Sequence, residues 1–273
     1  MKVTKNFTIL FFLSILALPV ISCCSWPKLE EDPARVAEKT QSIFLVRRTT
    51  QASVHYYGDK VGTKFEGDFS GTGVLISKRY NKSFILTANH VCQERLSNIK
   101  SAIPLAETAT ITINFSRIFV YDKTGKQHST IPIVFDQDND ICILLSEKMD
   151  AKPIRLANSE PKIGEKIVSY SLPTSIWSPN FIPIFNGFYV GKIRISIVKN
   201  KVYGFSTPSR PGSSGGAVVN SSGRLVGMIH TVRKDFAHLA FCATEAQIRM
   251  NLLKAYEEYK KDEINLNLVL LII

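Results

Sequence analysis

From residue 42 to residue 242 the chain is a succession of short apolar runs rich in β-branched and aromatic residues, separated by turns of Gly, Pro, Asn and Asp. The runs are 42–46, 69–76, 83–88, 109–113, 116–121, 131–135, 141–145, 166–171, 188–195, 201–205, 217–219, 225–229 and 239–242. Runs this short, with turn residues between them, predict strands, and many strands at this spacing predict an all-β barrel or sandwich. Gly71 and Gly73 inside the run 69–76 suggest a bulge or a close backbone approach, and 79–82 is a turn joining two strands into a hairpin. Only the end is helical in pattern: from Thr244, apolar residues recur at Ile248, Leu252, Leu253, Tyr256 and Tyr259. Residues 266–273 are almost wholly apolar and too few to span a bilayer; an added strand and a packed tail both remain open.

Within this β pattern, Arg210-Pro211-Gly212-Ser213-Ser214-Gly215-Gly216 stands out. A serine nucleophile needs a hydroxyl clear of the backbone, and N–H groups beside it aimed at the oxygen that becomes negative during acyl transfer. Ser214 fits the nucleophile, and the N–H groups of Gly212 and Ser214 fit an oxyanion hole. A Gly/Ser loop before a strand is more often only a turn, so a base and an acid are required. His90 ends the run 83–88 and is the natural base, since histidine titrates near neutral pH. Asp140, just before Ile141, sits at a strand mouth and can fix the tautomer of that base. Asp136 and Asp138 are rivals, better read as solvated turn residues.

The 273 residues, 45% hydrophobic and 21% charged, suffice for one large all-β domain or two small ones. Lys2 and Lys5 followed by the apolar run 7–21 predict a secretory signal. Val20-Ile21-Ser22-Cys23 resembles a bacterial lipobox and is preferred to a plain signal because Cys23 directly follows the apolar run, making Cys23 the lipidation candidate. The expected location is therefore outside the cytoplasm: the cell envelope, with membrane tethering through that lipid, or secreted. The formal charge of +11 is spread along the chain and suits anionic surfaces or acidic substrates; no nucleic-acid motif accompanies it. The histidines and cysteines form no short-range metal cluster, and no cofactor is expected. Besides Cys23 and Cys24, Cys92, Cys142 and Cys242 remain. Cys142, inside an apolar run, is expected as a buried thiol; one disulfide is compatible with the count, and its pairing is not assignable.

Thr87-Ala88-Asn89-His90, Asp140-Ile141-Cys142-Ile143-Leu144 and Pro211-Gly212-Ser213-Ser214-Gly215-Gly216, in that order, resemble the three motifs of the trypsin-like (chymotrypsin-fold) serine proteases. Ser70-Gly71-Thr72-Gly73-Val74, Pro161-Lys162-Ile163-Gly164-Glu165-Lys166-Ile167-Val168 and Asn220-Ser221-Ser222-Gly223-Arg224-Leu225-Val226-Gly227 are similar to stretches of the bacterial HtrA/Deg-type protease domain, here expected without a PDZ domain. The resemblance implies two six-stranded antiparallel β-barrels with the triad in the cleft between them, and a serine endopeptidase acting on polypeptides through an acyl-enzyme. The organisation then reads as a signal at 1–23, a mobile linker at 24–40, a protease domain at 41–253 (first barrel about 41–157, second about 158–243), a helix at 244–262 and an apolar tail at 263–273. No cysteine in 69–76 can partner Cys92, so the disulfide common in animal members is expected to be absent.

By the same resemblance Pro208 lies at the base of the primary pocket, disfavouring cleavage after Arg or Lys. Arg210 and His230 are further pocket candidates, since some members that cleave after Glu use a histidine in that region. Solvent exposure or local packing is the preferred reading of both, and a small or aliphatic residue before the scissile bond is the default. Two other functions compete: a protease-fold binding or chaperone-like module with little or no turnover, and an esterase, which would need a nucleophile elbow that this chain lacks.

Overall fold

A computed structural model of the chain describes residues 33–56, 63–93, 99–100, 109–233 and 236–272. The expected signal at 1–23, the lipidation candidate Cys23 and the first part of the linker lie outside them. Six strands, β1 (Ile43–Tyr56), β2 (Thr63–Arg79), β3 (Lys82–Ala88), β4 (Ala109–Tyr121), β5 (Gln127–Asp136) and β6 (Ile141–Glu147), close a barrel in the order β1-β2-β3-β6-β5-β4. Six more, β7 (Lys166–Tyr170), β8 (Ile184–Ile193), β9 (Val202–Phe205), β10 (Ala217–Asn220), β11 (Leu225–Arg233) and β12 (Phe236–Thr244), close a second in the order β10-β11-β12-β9-β8-β7. All pairings are antiparallel, and the two expected barrels are present.

Local chemistry accounts for most boundaries. Tyr80 and Asn81 both take positive φ (54° and 57°) in the two-residue loop between β2 and β3, the turn whose twist matches a hairpin. The runs 109–113 and 116–121 are one strand, not two. Gln51 pairs with Phe115 and Ala52 with Ile113, so a bulge takes up Asn114 without breaking β4. The continuous apolar runs of β7, β10 and β11 follow from burial on both faces. Ile167, Val218 and Val226 enter the second barrel's core, while Val168, Tyr170, Ala217, Val219, Leu225 and Met228 join the core shared with the first barrel.

The helices among the described residues include α1 (Pro33–Thr40), the single turn α2 (Asn89–Cys92) and α3 (Glu245–Ile272). Helix α1 replaces part of the expected mobile linker. Proline is accommodated in its first turn, and Val36 packs on the core, so docking rather than propensity holds so short a helix. Helix α3 opens on a capping box: Gln247 N–H donates to Thr244 Oγ1 at 3.2 Å and Thr244 N–H to Gln247 Oε1 at 2.7 Å. Ile248, Leu252 and Ala255 form its buried face, and the backbone stays helical to Ile272, within the stretch expected as an apolar tail. No helix among the described residues is long and apolar enough to cross a membrane.

Candidate active site

His90 stands on α2, immediately after β3, and Asp140 in the turn that enters β6. Pairing of β3 with β6 sets Ala88 opposite Ile141 and so brings the two residues together. Three bonds fix the pair: Asn89 N–H to Asp140 O at 3.0 Å, His90 N–H to Asp140 Oδ1 at 3.0 Å, and His90 Nδ1 to Asp140 Oδ2 at 2.7 Å. The last assigns the His90 proton to Nδ1 and leaves Nε2 as the lone-pair nitrogen. Asp140 is buried and takes φ +53°, a left-handed conformation that Asp tolerates better than most residues and that turns its carboxylate back onto α2. The wholly buried Arg48 donates to the carbonyls of His90 (3.2 Å) and Val91 (2.9 Å), anchoring the carbonyl end of that turn.

Two residues beyond each member of the pair, Cys92 and Cys142 form a disulfide. This corrects the expectation of a buried thiol at Cys142 and supplies the pairing that the cysteine count left open. The partner comes from β6 rather than from the run 69–76, because α2 turns back over the β3–β6 seam. Cys242 is the free, buried cysteine among the described residues, and burial pushes its thiol pKa up.

Ser214 lies in the loop between β9 and β10. The loop doubles back on itself through Ser213 N–H to Arg210 O (2.9 Å) and Gly216 N–H to Ser213 O (2.9 Å), and Gly215 N–H ties it to Ile229 O on β11 (2.6 Å). Gly212 and Gly215 take φ +96° and +92°; a Cβ on Gly215 would stand 1.8 Å from Thr72 O, and one on Gly212 2.5 Å from Leu172 O. The loop is pinned to the first barrel by Thr72, whose N–H donates to Ser214 O (2.7 Å) and whose hydroxyl donates to Gly212 O (2.9 Å). Thr72 thus joins the two barrels at the site. The sequence marked its neighbouring glycines for close approach without showing this role. Among the described residues the N–H groups of Gly212 and Ser214 have no acceptor, which suits an oxyanion hole.

His90, Asp140 and Ser214 share the lining of one cavity of about 340 Å³ with Ile197, Ser209, Arg210, Pro211, Ile229, His230 and Thr231. Of the expected site residues, His90, Asp140, Ser214, Arg210 and His230 therefore converge on this cavity, and Gly212 stands in the same loop as Ser214. Pro208 does not line the cavity; its neighbour Ser209, buried and with its hydroxyl unpartnered, does. Consecutive residues of an extended loop face opposite ways, so a one-residue change of identity is a change of side. Of the two preferred readings of His230, local packing holds and exposure does not. The residue is 1% exposed, and its Nδ1 lies 3.9 Å from Asp140 Oδ2. Burial lowers its pKa to about 4, with Asp140 opposing and His90 reinforcing the shift, so at neutral pH this contact is not an ion pair. Ser214 Oγ makes a long contact, 3.4 Å, to the carbonyl of His230. Of the rival carboxylates, Asp138 is exposed beside Lys199, whereas Asp136 accepts from Asn139 and Asn251 and ties the turn to α3 rather than being merely solvated.

A sequence model described as a trypsin-like peptidase domain matches residues 71–228 of the chain. No match was found among curated proteins. Solved structures similar to this one include the active form of the Rv3671c protease from M. tuberculosis, at 19% identity over 82% of this chain and 87% of that one (TM-score 0.57). The HtrA-type protease AlgW with a decapeptide matches at 14% identity over 83% of this chain and 66% of that one (TM-score 0.59). The serine endoprotease from Yersinia pestis matches at 19% identity over 83% and 68% (TM-score 0.54). At these identities the three likenesses establish the fold.

Proposed function

The chain belongs to the trypsin-like peptidase family and is a serine protease of that family, and from this premise we propose that it is an exported endopeptidase in which Ser214, His90 and Asp140 form the triad. The observation that carries the assignment is the 2.7 Å bond from His90 Nδ1 to Asp140 Oδ2 at a cavity that Ser214 shares. Ser214 Oγ turns from the His230 carbonyl toward His90 Nε2 and attacks a substrate carbonyl carbon as Nε2 takes its proton. Asp140 stabilises the resulting imidazolium, and the N–H groups of Gly212 and Ser214 hold the oxyanion. The C–N bond then breaks, the amine leaves with the proton from His90, and water delivered by the same base hydrolyses the acyl-enzyme.

Polypeptides are the substrate class. The apolar lining by Ile197, Pro211 and Ile229 favours a small or aliphatic residue before the scissile bond. Export is supported by the Cys92–Cys142 disulfide, which persists in oxidising compartments, and by the signal pattern that precedes Cys23. Lipid attachment at Cys23 is the companion proposal, and a mature N-terminus whose mass lacks a lipid would exclude it.

One observation favours the second reading, a binding module with little turnover: the Ser214 hydroxyl rests on His230 rather than on His90. Fluorophosphonate labelling and cleavage of unfolded casein decide between them. We expect both with the wild-type protein, and both lost, by at least about 10⁴-fold in turnover, with Ser214→Ala. A folded wild-type protein that does not label would transfer the assignment to the binding module.

A further inference from the structure

Asp140 holds φ +53°, a conformation that a residue other than glycine keeps only where its surroundings impose it. The residue just before it, Asn139, is buried and bonded on every side. Its main-chain N–H donates to Asp136 Oδ1 at 3.1 Å and its amide nitrogen to Asp136 Oδ2 at 2.7 Å. Its amide oxygen accepts from outside the first barrel. Gln247 Nε2, in the first turn of α3, donates to it at 2.8 Å, and Asn200 Nδ2, in the hairpin between β8 and β9, also at 2.8 Å. The same two elements hold the rest of the turn. Asn251 of α3 donates to Asp136 Oδ2 at 2.8 Å, and Lys199 N–H donates to Asp138 O at 2.9 Å. Asn251 is wholly buried on the face that α3 packs against the core. An apolar residue there would need no partner, so this amide is spent on a particular contact rather than on filling space.

We propose, on the triad reading above, that Asn139 is a positioning residue through which α3 and the β8–β9 hairpin hold Asp140 in the backbone conformation that presents its carboxylate to His90. The amide plane of Asn139 is engaged at both its oxygen and its nitrogen, so it cannot turn without breaking bonds. On the other side of Asp140, Ile141 is paired with Ala88. Held at both ends, the Asp140 backbone stays in the left-handed region. Loss of the Asn139 bonds frees the first end, and relaxation of φ then moves the carboxylate away from His90 Nδ1. The base and acid of the first barrel are thereby kept in place by a hairpin of the second barrel and by the helix that follows it in the chain.

Gln247→Glu isolates the α3 arm. It keeps an oxygen for Thr244 N–H, and the main-chain N–H of the same residue still bonds Thr244 Oγ1, so the helix cap persists. The donor to Asn139, however, becomes an acceptor facing an acceptor. With the full chain and a peptide cleaved by the wild type, Gln247→Glu is expected to lower kcat by about tenfold with KM within about twofold. Asn139→Ala should lower kcat by about 30-fold. The double variant should fall no further than Asn139→Ala alone, because the arm then has nothing to act through, whereas independent losses would multiply. The downfield ¹H resonance of the His90 Nδ1–Asp140 bond should shift in Gln247→Glu. Wild-type kcat in Gln247→Glu, an unmoved resonance, or losses that multiply in the double variant would overturn the proposal while the triad stands. A folded wild-type protein that does not label with fluorophosphonate overturns the triad reading and this one with it. Should Asn139→Ala fail to fold, Asn200→Leu takes its place, since Asn200 bonds the same oxygen from the hairpin. A loss of kcat like that of Gln247→Glu supports the proposal, and wild-type kcat overturns it.

Discussion

Replacing both Cys92 and Cys142 by alanine separates what the disulfide does for stability from what it does for geometry. The bridge spans 50 residues of sequence, enclosing β4, β5 and the turn that carries Asp140. Chain-entropy closure of a loop that long removes about 14 cal/mol/K from the unfolded state, about 4 kcal/mol at 25 °C. For a domain of this size that corresponds to a fall in Tm of about 8–16 °C. The three bonds between Asn89, His90 and Asp140 do not involve sulfur and remain. We therefore expect kcat at 25 °C within about threefold of wild type, because the geometry that those bonds set is intact. Urea unfolding followed by circular dichroism, with and without reductant, gives the first quantity, and steady-state cleavage gives the second. A stability loss below about 1 kcal/mol would refute the loop-closure argument. A collapse of kcat with the fold intact would show that the disulfide, not the hydrogen bonds, holds His90 against Asp140.

Asp140→Asn keeps the shape but puts an amide where His90 Nδ1–H needs an acceptor, and kcat should fall by about 10⁴-fold without loss of fold, measured by turnover and circular dichroism. Gly215→Ala forces a Cβ to within 1.8 Å of Thr72 O at φ +92°; the Gly212–Gly216 loop cannot keep its path, and urea unfolding should show a loss of about 4 kcal/mol or more together with loss of labelling. The buried His230 is uncharged in the folded state down to about pH 4, against 6.5 when unfolded, so the unfolded chain takes up this proton first. Stability should fall as pH drops from 6.5 toward about 4 and level off below, a contribution of about 3 kcal/mol. Urea midpoints across that window should be visibly flatter in His230→Leu, and equal slopes would contradict the burial argument.

Much of the active site is local in the chain and so is legible there. The Gly212–Gly216 loop announces itself because only glycine accepts the positive φ that its tight return requires. His90 and Asp140 stand out because each sits where an apolar run meets a polar turn. The strand rhythm pointed to an all-β barrel or sandwich because turn residues separate the runs, and the family resemblance implied two barrels. The helix at Thr244 was readable from its apolar spacing, and its Thr-x-x-Gln capping box agrees with that start.

Other features depend on neighbours that the sequence does not bring together. Cys142 reads as a core thiol until β3 and β6 are paired and α2 folds back over their seam. Thr72 is an ordinary strand residue until the second barrel presents Gly212 and Ser214 to it. Residues 33–40 read as linker until Val36 finds the core. The direction of His230 turns on one bulge, and that of Pro208 and Ser209 on which side of the loop faces the cavity. Composition and spacing determine where strands and turns lie, because period and backbone preference are properties of adjacent residues. Which side chains meet is decided by register and by barrel closure, because side chains alternate across a strand and one extra residue reverses the face that each presents.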